Sequence, residues 1–210
     1  MMALLRIADV LHQFCKHVSR IGSWLLLVLI AVIVFDVITR KFGFAREFVE
    51  NGPLGGVFSP TKLQELEWHL HAVIFLMSFG FAYLHGTHVR VDLWREKRRE
   101  RSRAVIELLA ILLLAMPYCG ILVFYAWDFV VTSYQQGEGS PALTGLPNRW
   151  IIKSFLLFGV VILFAALIST LIRLVAFLTG SDTVRERARD SLVMVRVDDA
   201  GSQPAEQGIQ

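Results

Sequence analysis

Apolar and polar positions are not scattered along this chain; they alternate in long blocks. Four stretches, residues 21–38, 63–84, 104–131 and 150–178, are almost continuously apolar. A helix crosses the hydrocarbon core of a bilayer with about 20 apolar residues. Each block is long enough to cross, and the last two can cross with tilt or project beyond the bilayer. Ahead of the first block, Leu4, Ile7, Ala8, Leu11, Phe14, Cys15 and Val18 recur at helical spacing, with Arg6, Asp9, Gln13, Lys16 and Arg20 mostly off that stripe. The pattern predicts an amphipathic helix in the headgroup layer, against membrane lipid. A stripe packed against protein fits it equally well.

The predicted fold is therefore all-α and integral to a membrane, with four transmembrane helices and an N-terminal amphipathic interfacial helix. It divides into residues 1–20 (the interfacial helix), 21–178 (the four-helix membrane domain) and 179–210 (a polar tail, partly disordered). The distribution of Lys and Arg sets the orientation. Three lie in the N-terminal segment, seven between 85 and 103, and four beyond Thr179, fourteen in all; the other two loops hold five. Both termini and the 85–103 loop are thus expected in the cytoplasm.

Composition sharpens this picture in three ways. The hydrophobic share is 55%, above the roughly 45–50% of a soluble domain. The net charge of +3 comes from basic residues flanking the apolar blocks, which is membrane topology; no nucleic-acid motif accompanies it. Cys15 and Cys119 have neither metal-site nor disulfide spacing, so both are expected as free thiols packed as small apolar groups. The first block is long for a signal peptide and ends in Asp36-Val37-Ile38-Thr39-Arg40, with no small-x-small cleavage site. It is expected to be retained.

The candidate chemistry sits at the block ends. Asp36 and Arg40 are four residues apart and can pair. The glycine-rich loop 41–62 leads to Thr61-Lys62-Leu63-Gln64, which fits a capping box with Thr61 as the cap. Glu65 shares a helix face with His69, and Glu67 shares a nearly opposite one with His71. The pattern is not HExxH, so neither a metal site nor zinc-protease chemistry is expected. A haem- or quinone-binding anchor of an oxidoreductase is the alternative these histidines raise, although His69 and His71 point apart on one helix. Pro117 can kink the third helix, and Asp128 lies near that helix's end. Asn148 is a candidate cap for the fourth. Arg149 and Lys153 oppose the dipole of the fourth helix. Either a carboxylate among Asp36, Glu65, Glu67, Asp128 and Glu138 offsets them, or they snorkel to headgroups.

Three stretches carry a resemblance: Glu65-Leu66-Glu67-Trp68-His69-Leu70-His71, His88-Val89-Arg90-Val91-Asp92, and Gly139-Ser140-Pro141 through Gly145-Leu146-Pro147-Asn148-Arg149-Trp150-Ile151-Ile152-Lys153. In their order and their places at the ends of the spans, the chain resembles the small membrane subunit (DctQ-like) of tripartite ATP-independent periplasmic (TRAP) transporters. The resemblance implies a non-enzymatic subunit in the bacterial inner membrane, with no cofactor. Its implied partners are a large permease subunit and a periplasmic solute-binding protein, which together take up an organic acid on an ion gradient. Substrate and sodium sites belong to the large subunit, so no substrate residue is carried over. The residues expected to face partners are Glu65, Glu67, Trp68, Arg90, Asp92, Arg149 and Lys153.

Overall fold

A computed structural model describes residues 1–42, Glu47, 59–87 and 99–192 (the side chain of Asp190 excepted). The elements among them are all helical: α1 (Met2–Lys41), α2 (Pro60–Leu84), α3 (Glu100–Gln135), α4 (Trp150–Thr179) and α5 (Asp182–Ser191). Helices α1, α3 and α4 are long and apolar enough to cross a membrane. Helix α2 has 25 residues, but Lys62, Glu65, Glu67, His69 and His71 take up its first turns and shorten its apolar run. Arg90 and Asp92 lie outside the described residues.

The contacts fix the helix directions. Along α1, Ala8 lies beside Ser169 and Cys15 beside Ile162 and Gly80, while Gly22 meets Met77. Helix α1 therefore runs antiparallel to α2 and α4, and α2 and α4 run parallel. Trp150 at the start of α4 meets Tyr134 at the end of α3, so those two are antiparallel as well. The approach is closest at Gly80, where a Cβ would fall 2.6 Å from Ile162 Cγ2 and 3.0 Å from both Cys15 Sγ and Ile162 O. Small residues let helix backbones come together where lipid supplies no hydrophobic drive. Gly80 is thus used inside the chain. Both cysteines are free and buried.

Residues 3–19 and the first apolar block form one continuous 40-residue helix, about 60 Å long. No proline or glycine lies between Met2 and Arg20 to break it. The amphipathic stripe is partly buried within the chain itself: Leu5, Ala8, Cys15 and Val18 are covered, whereas Leu4, Ile7 and Phe14 remain exposed. The tail folds back as α5 against α4, burying Val184, Ala188 and Leu192 in one core cluster that also holds Leu5, Ala104, Ile111 and Leu174. Its arginines are tied down: Arg185 Nε donates to Phe177 O at 3.2 Å, Arg187 lies 3.0 Å from Asp9 Oδ2, and Arg189 lies 2.6 Å from Glu100 Oε1. The disorder expected of the tail falls on residues beyond those described.

Two helix starts differ from the sequence reading. Ser59 caps α2, accepting the Lys62 N–H at 3.3 Å, with Pro60 in the first turn. Proline's fixed φ and missing N–H suit the first helical position, which moves the cap back from Thr61 to Ser59. Asn148 sits at φ 59° and Arg149 occupies the cap position of α4, without a side-chain cap bond. Asparagine tolerates that left-handed backbone better than most residues.

Candidate functional site

The end of the bundle where α2 and α4 begin and α3 finishes carries a compact loop, residues 136–149. Its shape follows from local sequence. Gly137 takes φ 60° and turns the chain out of α3. The Ser140 N–H then donates to Leu146 O at 3.1 Å, and the Gly145 N–H to Ala142 O at 3.0 Å, closing a tight turn. A Cβ at Gly145 would lie 2.2 Å from Ser140 Oγ and 2.8 Å from Glu65 Oε1, so the turn needs glycine there to let the carboxylate in.

Glu65 is the peg on which this loop hangs. Its Oε1 accepts the Ser140 hydroxyl, and its Oε2 accepts the Leu146 N–H at 2.6 Å. The start of α2 adds a second tie: the Ser59 hydroxyl donates to Thr144 O at 3.2 Å, and Thr144 Oγ1 donates to Thr61 Oγ1 at 3.2 Å. A half-buried carboxylate with two donors is well satisfied. One end of α2 is thereby locked to a loop some 80 residues away in sequence.

Glu138 does the same for α4. Lys153 Nζ and the Ser133 hydroxyl (2.7 Å) both donate to its Oε2. Arg149 Nη1 lies 4.0 Å from Oε1, and the Arg149 N–H donates to Glu138 O at 2.9 Å. These contacts, the hydrogen bond from Lys153 first, hold the Glu138 carboxyl below the usual carboxylate range. Of the five carboxylates that could offset Arg149 and Lys153, Glu138 is the one in ion-pair contact with both, and Glu65 adds a longer-range attraction to Arg149. Lys153 also lies 3.8 Å above the Phe129 ring, and Arg149 Cζ lies 5.9 Å from the Trp68 ring centroid.

Glu65, Trp68, Arg149 and Lys153 therefore meet around one loop. Glu67 is half-buried on the same turn of α2, with no ion pair among the described residues. Trp68 remains 43% exposed and stacks on His69, whose Nδ1 bonds the Glu65 carbonyl. Asp36 and Arg40 pair at 2.8 Å, as their spacing predicts. Ser133, Ser140 and Gly145 hold the arrangement together, and neither charge nor periodicity singles them out; Ser140 and Gly145 lie within the third resembling stretch, whereas no sequence signal points to Ser133. The Ser140 and Ser133 hydroxyls and the Lys153 ammonium are spent on tying the loop to the helices, and no group of three metal-ligating side chains exists among the described residues. Its chemistry is that of a shaped, charged surface.

A sequence model of the family described as "Tripartite ATP-independent periplasmic transporters, DctQ component" matches residues 29–177. No curated protein and no solved structure matches.

Proposed function

The chain belongs to the DctQ component family of tripartite ATP-independent periplasmic transporters, and from that premise we propose that it scaffolds the large permease subunit of such a system. The transporter takes up an organic acid delivered by a periplasmic solute-binding protein, driven by an ion gradient, in the bacterial inner membrane. Helix α2 also crosses, as the second of four spans, both termini are cytoplasmic, and the 136–149 loop faces the periplasm. The basic-residue asymmetry supports this orientation, and the alternation of helix directions supports four crossings.

The observation that carries the scaffold role is where charge sits. The ionisable side chains of the described helices gather at the two ends of the bundle, and many of them are tied to one another: Glu65 and Glu138 at one end, Asp9, Arg173, Arg187 and Arg189 at the other. A transport pathway instead places charged substrate- and ion-binding groups near the midplane. Of the candidate contact residues, Trp68 and Arg149 remain exposed enough to touch a partner directly. Glu65 and Lys153 act by fixing the loop that presents them. Glu67, Arg90 and Asp92 complete the proposed contact set.

The test is copurification. The full chain, coexpressed with a large permease subunit and extracted in mild detergent, is expected to bring that subunit with it; its absence would contradict the reading. A haem- or quinone-binding anchor draws no support from the family match. A Soret band in the purified chain would revive that alternative.

A further inference from the structure

Helix α3 does not satisfy its own backbone. A π-helical turn, Ile111–Ala115, precedes Pro117, and the Met116 N–H reaches back to Ile111 O. At the far end, spacing is α-helical again, with the Gln136 N–H on Thr132 O. Between these two bonds the carbonyls run from Leu112 to Thr132, twenty-one groups, and the N–H groups run from Tyr118 to Gln136, nineteen groups, because Pro117 has none. Wherever the helix returns to α spacing, two carbonyls are left without a helical donor. One is lost to the wide turn and one to proline. The switch begins just after Ile111, so the freed groups lie beside Pro117, near the middle of the 104–131 block.

That position matters because no water reaches the hydrocarbon core to satisfy a carbonyl. The same side of α3 carries three more unmet features. Leu114 is 71% exposed and Ile121 56%. Gly120 has nothing within 4 Å of where a Cβ would stand, which leaves room for a second helix to approach closely. Asp128 is exposed, one turn inside the end of the apolar block, with no ion pair or hydrogen bond among the described residues. Pro117, Ile121, Phe124 and Asp128 follow at i, i+4, i+7 and i+11, a single stripe.

We propose that this stripe of α3 is the docking face for a transmembrane helix of the large permease subunit. That helix presents a hydroxyl or amide donor to the freed carbonyls beside Pro117. It also presents a lysine or arginine to Asp128, about 20 Å further along the axis. Lipid tails offer no donor to the carbonyls, and a second copy of this stripe would set acid against acid. The proposal rests on the scaffold reading above and names the surface through which it works.

The experiment is photo-crosslinking in native membranes from the full chain coexpressed with the large subunit. A photoreactive residue is placed at Leu114 or Ile121, with Leu27 and Val34 of α1, both exposed, as controls. Adducts to the large subunit are expected from Leu114 and Ile121 and not from the controls. Gly120→Leu and Asp128→Lys are expected to lose the copurifying large subunit; for Gly120→Leu the melting temperature of the isolated chain is expected not to fall. Adducts from Leu27 or Val34 instead, with the wild-type complex intact, would overturn the proposal and leave the scaffold reading standing. Adducts from Ile121 to lipid alone, or to a second copy of this chain, would also overturn it. Failure of the wild-type chains to copurify would bring down the scaffold reading and this proposal with it.

Discussion

Arg173 Nη2 lies 3.0 Å from Asp9 Oδ1, joining the last turns of α4 to the first turns of α1. The arginine side chain is only 6% exposed, while Asp9 is 43% exposed and also holds Arg187. Removing the acid strands a buried charge; removing the base leaves an acid that still has a partner. Asp9→Ala is therefore expected to destabilise the chain by about 1–3 kcal/mol, between the values for buried and exposed pairs. Arg173→Met should cost less, since methionine fills much of the same apolar space. Thermal melting in detergent distinguishes the two, and equal losses would contradict the asymmetry.

At the other end, Glu138 sets an acid limit. Lys153 and Ser133 hold its carboxyl below the usual range, so the folded value lies beneath the unfolded one, about 4.3. The stabilisation is fully present above the unfolded value and is lost as pH falls through the folded one. Melting temperature is expected to be flat from neutral pH to about 5 on this account, then to fall more steeply in the wild type than in Glu138→Gln. Lys153→Ala should lower the melting temperature more than Arg149→Ala, because Lys153 bonds the carboxylate directly and Arg149 stands 4.0 Å away.

How much of this was legible in the sequence depends on the range of the interaction. The four long helices were, because apolar blocks of that length have few alternatives; α5 was not, because its polar sequence carries no apolar block and is held by packing on α4. Asp36 with Arg40 was, because four residues on one helix share a face. That Arg149 and Lys153 need a carboxylate followed from the helix dipole, but choosing Glu138 from five required the turn at Gly137. The hydroxyls of Ser133 and Ser140 were not legible from charge or periodicity, since a serine carries neither. Arg173 with Asp9 was not legible, because 164 residues separate them and only the antiparallel packing of α1 on α4 brings them together. The π turn was visible only as a proline expected to kink its helix.

Two glycines separate close packing from open surface. Gly80→Ala pushes a Cβ into Ile162 and Cys15, and the Ile162 carbonyl cannot swing aside. A loss of about 1–3 kcal/mol is expected, as for other overpacked cores. Gly120→Ala meets nothing and should hold or slightly raise the stability of the isolated chain, by up to about 1 kcal/mol from helix propensity. Melting of both variants checks the pair.

Orientation has its own test. Single cysteines at positions 52, 138, 97 and 207, in a chain lacking Cys15 and Cys119, are labelled from outside intact cells with an impermeant reagent. Positions 52 and 138 are expected to react, and 97 and 207 to stay unlabelled. Labelling at position 97 would invert the proposed topology.

The central claim is that this chain transports nothing alone and works by holding a larger permease. Its most direct test is uptake into liposomes under a sodium gradient, with the binding protein and its ligand outside. Vesicles containing this chain alone are expected to take up no ligand, and vesicles containing it together with the large subunit are expected to accumulate it. Gradient-driven uptake by this chain alone would contradict the account.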